Sequence, residues 1–508
     1  MTTAHKATRH WAPAAPSWAR VSMLAVTLMF GWALLHPVPY RPQWWHGLLA
    51  AFVIAAFLGS WHGQHWSTSV RRWVPLARRN RRIRTGRAKP PPTEPLPQDI
   101  SRDDESAIDS MQATVTVHLR PQPHALNTPP QIDDQLPWDQ IGRWFDRYGI
   151  RTESIVVTSV TSTPPRSALR QAFEHRLSGS TPQHRDTWVS FVVRAEANLE
   201  EIMARGVDVA TLADSTARRL VAELREQGWL ATIVADPANL PSFVTQGAQV
   251  RKELWTSIQC SDGYRAVYAV APDALKSVLT DVSTLSTAQT WVSVAMRPQG
   301  QQAVEMQAVV ATVTYNRPDR VPLPGLIGFH GMHRQRAEQV TVTGSLAASA
   351  ALLDLEVVAS IPWQTAATGV PVGANREGSP VYVALASAES VRITIAGSPE
   401  FQVGMTSRLA LSGLPVALYV ADPTRFRTLA DHGATQQVQT APANPAPAGI
   451  VVGDGSQPPP SGHIMVTLSP RVAKLPAAAI SIVQDAERPD LFDISTPRGS
   501  QLLTHRMT

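Results

Sequence analysis

Thr187-Trp-Val-Ser-Phe-Val-Val-Arg194 opens the stretch that decides the fold of this 508-residue chain. Its run of apolar and β-branched residues predicts a buried strand. Residues 211–227 predict a helix, because their apolar residues share one face and Gly228 follows as a stop. Residues 230–237 predict a second strand. Strand, helix and strand with such short links predict a βαβ unit with parallel strands.

The same order returns near the carboxyl end of the chain. Residues 391–396 predict a strand, 399–412 a helix and 415–423 a strand. Both units end in Val-Ala-Asp-Pro, and Asp followed by Pro suits the start of a helix or tight turn. Asp236 and Asp422 are therefore predicted N-caps.

Further strands are predicted at residues 111–119, 153–160 and 290–297. The last of these repeats the Thr-Trp-Val-Ser of residues 187–190, which favours an old internal duplication. The predicted fold class is an α/β cytosolic region with βαβ units and a mostly parallel or mixed sheet.

The amino-terminal part has an unusual charge distribution. Residues 1–89 contain thirteen Lys and Arg and no Asp or Glu, whereas residues 90–508 contain 33 basic and 40 acidic residues. The two long apolar runs, residues 21–35 and 44–61, also lie in this part. The sequence pI near 9.7 therefore describes a basic anchor joined to a mildly acidic body, and we expect no nucleic-acid partner.

These runs predict an N-terminal two-helix transmembrane hairpin at residues 21–66. Only Arg41 lies between the runs, and a dense cluster of basic residues follows the second one. The distribution predicts a two-pass inner-membrane protein with both termini and the large domain in the cytoplasm. A cleaved signal peptide is the alternative for the first run, but no small-residue cleavage site follows it.

Two sets of residues are the candidate membrane contacts. Basic residues after the second run are expected to contact lipid headgroups or to set orientation: Arg71, Arg72, Arg78, Arg79, Arg81, Arg82, Arg84, Arg87 and Lys89. A stop-transfer signal with a solvated tail is the alternative for them. Tryptophans expected at the membrane interface are Trp18, Trp44, Trp45, Trp61 and Trp66.

Composition divides the chain into six predicted segments. They are a cytoplasmic N-terminus (1–20), the hairpin (21–66), a basic juxtamembrane segment with a Pro-rich linker (67–105), an α/β body (106–440, with subdomains near 106–245 and 246–440), a Pro/Ala/Gly linker (441–462) and a C-terminal segment (463–508). Cys260 is the single cysteine, so no intramolecular disulfide can form.

The search for catalytic motifs predicts no catalytic residue, cofactor or metal. None of the five lysines stands in a P-loop, and neither G-x-S-x-G nor H-E-x-x-H occurs. His330 and His333 form an H-x-x-H pair without a neighbouring carboxylate or Cys, so a solvated basic loop is expected there, with an anion contact as the alternative.

Several segments carry a resemblance to a known family. They are residues 185–194, the helix beginning Ala217-Arg-Arg-Leu, Val250-Arg-Lys-Glu-Leu-Trp255, Asp262-Gly-Tyr-Arg-Ala-Val-Tyr268 and residues 369–382. With the hairpin and the Arg-rich exit, these segments resemble the EccE family, a membrane component of type VII (ESX) secretion systems. The resemblance implies a non-enzymatic subunit of an inner-membrane complex, a hetero-oligomer with EccB, EccC and EccD as partners besides membrane lipids.

A membrane-anchored nucleotide- or nucleotide-sugar-binding protein or transferase is the alternative function. Parallel sheets bind ligands at the carboxyl ends of their strands, where Asp236 and Asp422 are predicted. The chain lacks the D-x-D pattern that many metal-dependent sugar transferases use.

Overall fold

The structure is a computed structural model. It describes residues 18–34, 44–58, 60–61, 64–85, 111–120, 135–163, 184–236, 240–243, 249–282, 285, 287–300, 303–343, 349–363, 365, 369–378, 380–383, 385, 391–432, 438–442, 449–457, 464–470, 480–496 and 499–505.

The α-helices are α1 (Trp18–Leu34), α2 (Trp44–Leu58), α3 (Trp66–Arg84), α4 (Trp138–Arg143), α5 (Leu199–Arg205), α6 (Val209–Glu226), α7 (Leu275–Asp281), α8 (His333–Glu338), α9 (Leu355–Ala359), α10 (Pro399–Ala410) and α11 (Arg427–His432). The strands of the amino-terminal hairpin and first sheet are β1 (Ser60–Trp61), β2 (Gln64–His65), β3 (Gln112–Arg120), β4 (Asp146–Arg147), β5 (Ile150–Ser162), β6 (His184–Arg194), β7 (Leu230–Ile233), β8 (Val250–Glu253), β9 (Ile258–Cys260), β10 (Gly263–Val270), β11 (Gln289–Gln299), β12 (Ala303–Thr314), β13 (Leu326–Gly328) and β14 (Ala351–Asp354). The strands of the second sheet are β15 (Val370–Ala374), β16 (Pro380–Val383), β17 (Val391–Ala396), β18 (Val416–Tyr419), β19 (Val438–Thr440), β20 (Ile450–Gly453), β21 (Ile464–Ser469), β22 (Ile480–Gln484), β23 (Leu491–Thr496) and β24 (Gly499–Thr504).

The two apolar runs form helices that are shorter than the predicted spans. Helix α1 has 17 residues and α2 has 15. At a rise of about 1.5 Å per residue, they reach only about 26 Å and 22 Å, against a hydrocarbon core of about 30 Å. Among the described residues, no helix is both long and apolar enough to cross a membrane. The predicted transmembrane hairpin at residues 21–66 is therefore wrong.

The prediction of a mostly parallel or mixed sheet is wrong for the first sheet. Within the described residues, its 12 strands all pair antiparallel, with the main order β7-β3-β6-β5-β11-β12-β10-β9-β8. Strands β6 and β7 do run in the same direction, as helix α6 between them predicts. However, β3 lies between them and pairs antiparallel with both. A strand from earlier in the chain thus splits the predicted βαβ unit.

The first sheet contains two units of similar topology. In the first, the order β3, α4, β5, β6, α6, β7 along the chain gives the sheet order β7-β3-β6-β5. In the second, β10, α7, β11, β12 and β13 give β13-β10-β12-β11. The units meet where β5 pairs with β11. The repeated Thr-Trp-Val-Ser segments lie on β6 and β11, the third and second strands of their units. They are therefore not topological equivalents, although the architecture is duplicated.

Successive side chains of β6 point to opposite faces of the first sheet, and both faces are buried. Val189 and Phe191 enter a core shared with Leu220 and Leu224 of α6. Trp188 points to the opposite face and joins a second apolar cluster. The second cluster includes Phe243, Val340 and Val342, from two segments that pair with each other.

In the part of the chain that the structure describes, the second sheet has 10 strands in the order β16-β15-β24-β23-β22-β17-β21-β20-β18-β19. The ladder from β22 to β19 is parallel, and the remaining strands pair antiparallel. Helix α10 connects β17 to β18 across two intervening strands, and Ser398 caps it by accepting a hydrogen bond from the Phe401 N–H (3.3 Å). Strand β20 lies inside residues 441–462, so both the predicted linker and the predicted C-terminal segment contribute to this sheet.

Candidate docking site of the basic helix

Helix α3 carries most of the Arg-rich cluster and lies against the body. Ser69 and Leu76 are buried, and Arg72, Arg79 and Asn80 are half-buried. Steps of three and four residues place these side chains on one face of a helix. Helix α3 packs against strand β8, the end of the first sheet's main order. The described part of the basic segment is therefore a docked helix and not the solvated tail of the alternative interpretation.

Asn80 binds the main chain of β8. Its side-chain Nδ2 donates to the Glu253 carbonyl oxygen, and its Oδ1 accepts from the Glu253 N–H, each at 2.8 Å. An edge strand presents main-chain donors and acceptors that need partners. One amide side chain supplies both here, as a neighbouring strand would.

The carboxylate of Glu253 binds two guanidinium groups. Arg79 Nε lies 2.8 Å from Oε2, and Arg334 of α8 places a terminal nitrogen 3.4 Å from Oε1. The Glu253 side chain is only 2% exposed, whereas that of Arg79 is 33% exposed. A buried carboxylate is costly unless opposite charges and hydrogen bonds compensate it. Glu253 thus joins α3, β8 and α8 through one charged group.

The predicted solvated loop around His330 and His333 forms the rest of the docking surface. A terminal nitrogen of Arg72 donates to the His330 carbonyl oxygen (3.3 Å), and one of Arg79 donates to that of Gly331 (3.0 Å). Both histidines are buried, and the Val267 N–H donates to Nδ1 of His333 (3.1 Å). The expectation of a solvated loop is wrong, because this segment packs on β10 and accepts hydrogen bonds from α3.

Gly331 explains why the loop and the helix approach so closely. Its φ of +72° is in the left-handed region, and its N–H donates to the Trp255 carbonyl oxygen (2.9 Å). A Cβ at this position would lie 2.7 Å from the Trp255 ring and 3.2 Å from Cβ of Arg72. Trp255 also stacks on His330, with ring centroids 6.2 Å apart. Glycine is therefore the residue that fits between them.

The structure divides the predicted basic residues into two groups. Arg72 and Arg79 contact the body, while Arg71, Arg78, Arg81, Arg82 and Arg84 are exposed on α3. Arg87 and Lys89 lie outside the described residues. Among the predicted interface tryptophans, Trp18 and Trp44 are exposed on α1 and α2. Trp45, Trp61 and Trp66 lie on α2, on β1 and at the start of α3.

The sequence alone does not identify Glu253 and Asn80 as docking residues. Glu253 stands within a segment that resembles the known family, and Asn80 belongs to no motif. One signal was available: residues 1–89 contain no carboxylate, so any ion-pair partner for a buried arginine had to come from elsewhere in the chain. Nothing in the sequence identified which of the 40 acidic residues it would be.

Of the two aspartates predicted at strand ends, Asp422 has a local structural role. Asp422 follows β18 and accepts hydrogen bonds from the N–H and hydroxyl of Thr424, which lower its pKa. This confirms the predicted N-cap, which precedes the 3₁₀ turn Pro423–Phe426. Asp454 follows the adjacent strand β20 and accepts from the Ala421 and Ser456 N–H groups at 2.8 and 2.9 Å. Asp236 is exposed after β7, and its predicted partner Pro237 lies outside the described residues.

An open cleft of about 320 Å³ lies on the first sheet, with Thr114, Thr116, Arg194 and Arg297 in its lining. Arg194 pairs there with Glu153, so the cleft already contains a carboxylate for that guanidinium. Within the described ranges, His, Cys, Asp and Glu form no group of three or more with the geometry to hold a metal ion.

Part of this chain matches a known protein family. Residues 181–270 match the family model described as "Putative type VII ESX secretion system translocon, EccE". This segment includes β6, α6, Glu253 and Trp255. Helix α3 and the loop containing Gly331 lie outside it, so the match covers only one side of the docking site.

Curated relatives extend the match. The chain is 30% identical over 298 residues to the ESX-3 secretion system protein EccE3 of Mycolicibacterium smegmatis, which covers 58% of this chain and 77% of the relative. It is 31% identical over 231 residues to the protein of the same name from Mycobacterium tuberculosis, and this alignment spans 45% of the chain and about half (54%) of that relative. Since the first alignment covers most of a relative from this family and the family model matches independently, the chain belongs to the EccE family of type VII (ESX) secretion system proteins.

Proposed function

We propose that this chain is a structural, non-enzymatic subunit of the inner-membrane complex of a type VII (ESX) secretion system, with its two sheets on the cytoplasmic side. EccB, EccC and EccD are its proposed partners. Family membership supports the system, and the purely basic charge of residues 1–89 is complementary to the anionic surface of the cytoplasmic leaflet. The proposed mechanical role is to hold the basic helix and the body as one unit within the complex.

The docking of α3 on Glu253 is the observation that carries this proposal. A buried carboxylate shared by Arg79 and Arg334, together with two hydrogen bonds between the Asn80 side chain and the Glu253 main chain, connects a surface helix to a sheet edge. Such a connection resists separation better than exposed ion pairs do, because each exposed pair contributes only about 0–1 kcal/mol. A subunit that transmits position between neighbours needs this stiffness.

Deletion of the chain followed by complementation tests the role. We expect deletion to change the membrane complex on native gels and to reduce secretion, and the wild-type chain to restore both. A chain carrying Asn80→Asp and Glu253→Ala should restore them poorly. Arg81→Gln, an exposed position on the same helix, is the matched control. An unchanged complex with normal secretion after deletion would reject the structural role.

The proposal that the chain is not an enzyme has a separate test. At the carboxyl end of β18, Asp422 accepts from the Thr424 N–H of its own turn. At the end of β20, Asp454 accepts from the Ser456 N–H and from the Ala421 N–H after β18. These main-chain bonds support a structural role for both. Titration calorimetry of the full chain with nucleotides and nucleotide sugars should give no binding heat. Saturable heat that Asp422→Asn abolishes would favour the nucleotide-binding alternative.

A further inference from the structure

Helix α3 has a second face whose side chains are exposed in the described structure. Val70, Trp73 and Val74 are exposed, the first two by 59% and 60%. Their spacing of three and four residues makes them one stripe that runs beside the docking face, with Trp73 next to Asn80 and with Val70 and Val74 farther from it around the helix. Exposed apolar stripes of this kind mark contact with a partner or a membrane.

A basic stripe runs alongside the apolar one. Arg71, Arg78 and Arg82 are exposed and share one side of α3, because they follow each other at steps of seven and four residues. Helix α3 contains no acidic residue. An apolar stripe with Trp beside an Arg-rich stripe is typical of helices that lie in the plane of a bilayer surface.

The neighbouring helices extend the apolar surface. Helix α2 packs on α1 and on α3. Phe30 of α1 and Phe52 of α2 are exposed, as are Trp18 and Trp44. A surface with this much exposed aromatic area and only positive charge on α3 is complementary to an anionic, partly apolar partner, and an anionic lipid surface has both properties.

We propose that the free face of α3 lies in the headgroup region of an anionic bilayer. Val70, Trp73 and Val74 insert at the boundary with the acyl chains, and Arg71, Arg78 and Arg82 contact lipid phosphates. Arg72 and Arg79 remain bound to the body. This inference rests on the proposed place in a membrane complex and assigns different tasks to residues that the sequence presents as one basic cluster.

Vesicle flotation with the full chain tests the assignment. Vesicles contain either equal parts of phosphatidylglycerol and phosphatidylcholine, or phosphatidylcholine alone. Each arginine near an anionic surface contributes about 1 kcal/mol to binding. Replacing Arg71, Arg78 and Arg82 by Gln should therefore lower partitioning to the anionic vesicles about a hundredfold. The matched control replaces three exposed arginines outside α3, Arg376, Arg392 and Arg427, by Gln and should keep the partitioning. Equal loss in both triple variants, or no loss in the α3 variant, would overturn the inference.

A second experiment measures how close α3 lies to the lipids and does not depend on the affinity of the chain for vesicles. Cys260 is the single cysteine, so Cys260→Ser gives a background for labelling. A fluorophore at Val74→Cys should be quenched by lipids spin-labelled near the headgroup, whereas one at Leu352→Cys, an exposed position on β14, should not. Equal quenching at both positions would contradict the proposal. Native gels report complex assembly independently. The structural role fails if deletion leaves the complex unchanged on these gels, whereas the lipid assignment fails in the flotation and quenching experiments.

Discussion

The side-chain amide of Asn80 and the main chain of Glu253 exchange two hydrogen bonds, both 2.8 Å long. The pairing joins residues 173 positions apart in the chain. It also covers the edge of β8, so helix α3 acts as the last partner of the first sheet.

Replacement of Asn80 by Ala should release this edge. The variant loses both hydrogen bonds and leaves Glu253 main-chain groups to find water, at a cost of about 1–3 kcal/mol. Hydrogen exchange of the β8 amides should become faster. Arg81→Ala, one residue on and exposed, should leave exchange at β8 unchanged. Equal protection in both variants would show that Asn80 does not hold the edge.

The Glu253 carboxylate should couple energetically to Arg79. Glu253→Ala leaves two guanidinium groups without their shared carboxylate, and loss of one partner of a buried pair costs about 3–5 kcal/mol. Arg79→Ala should cost less, because Arg79 is one-third exposed. A double-mutant cycle measured by urea unfolding should therefore give a favourable coupling energy above about 1 kcal/mol. Additive effects of the two substitutions would mean that the ion pair does not contribute to the docking of α3.

Gly331→Ala should undock α3 without removing any charge. The added Cβ would meet the Trp255 ring and Arg72 and would also strain a left-handed backbone. Limited proteolysis within residues 66–84 should accelerate. Gly300→Ala is the matched control, since Gly300 has φ +81° and open space around it. Similar proteolysis of the two variants would mean that backbone strain alone, rather than the contact with α3, is responsible.

The second sheet should lose stability in acid through His505. Burial, with the nearby Arg408 charge, lowers the pKa of His505 to about 4 from its ordinary value of 6.5. Between pH 4 and pH 6.5, His505 therefore binds a proton more readily in the unfolded chain than in the folded one. The contribution of neutral His505 to the free energy of unfolding is full above pH 6.5 and is lost as the pH falls toward 4. His505→Gln should flatten the pH dependence of thermal unfolding in that window. An identical pH profile for the variant would contradict the assignment.

The sequence by itself determined the individual strands and helices of the body. Alternating and continuous apolar runs identified β6, α6, β17 and α10, because burial imposes a period on the residues of one element. It also determined the family, through segments such as residues 185–194, and the N-cap at Asp422, because both depend on residues that are neighbours in the chain.

Only the tertiary structure decided which strands are neighbours and which charges are paired. The order β7-β3-β6 places an antiparallel strand inside a segment that looks like βαβ, since strand pairing depends on where a distant strand arrives. Arg71 and Arg72 have the same local sequence environment, yet one faces solvent and the other the body. The reason is that the partners of Arg79 and Asn80 lie more than 170 residues away, and a pattern read along the chain contains no information about contacts at that separation.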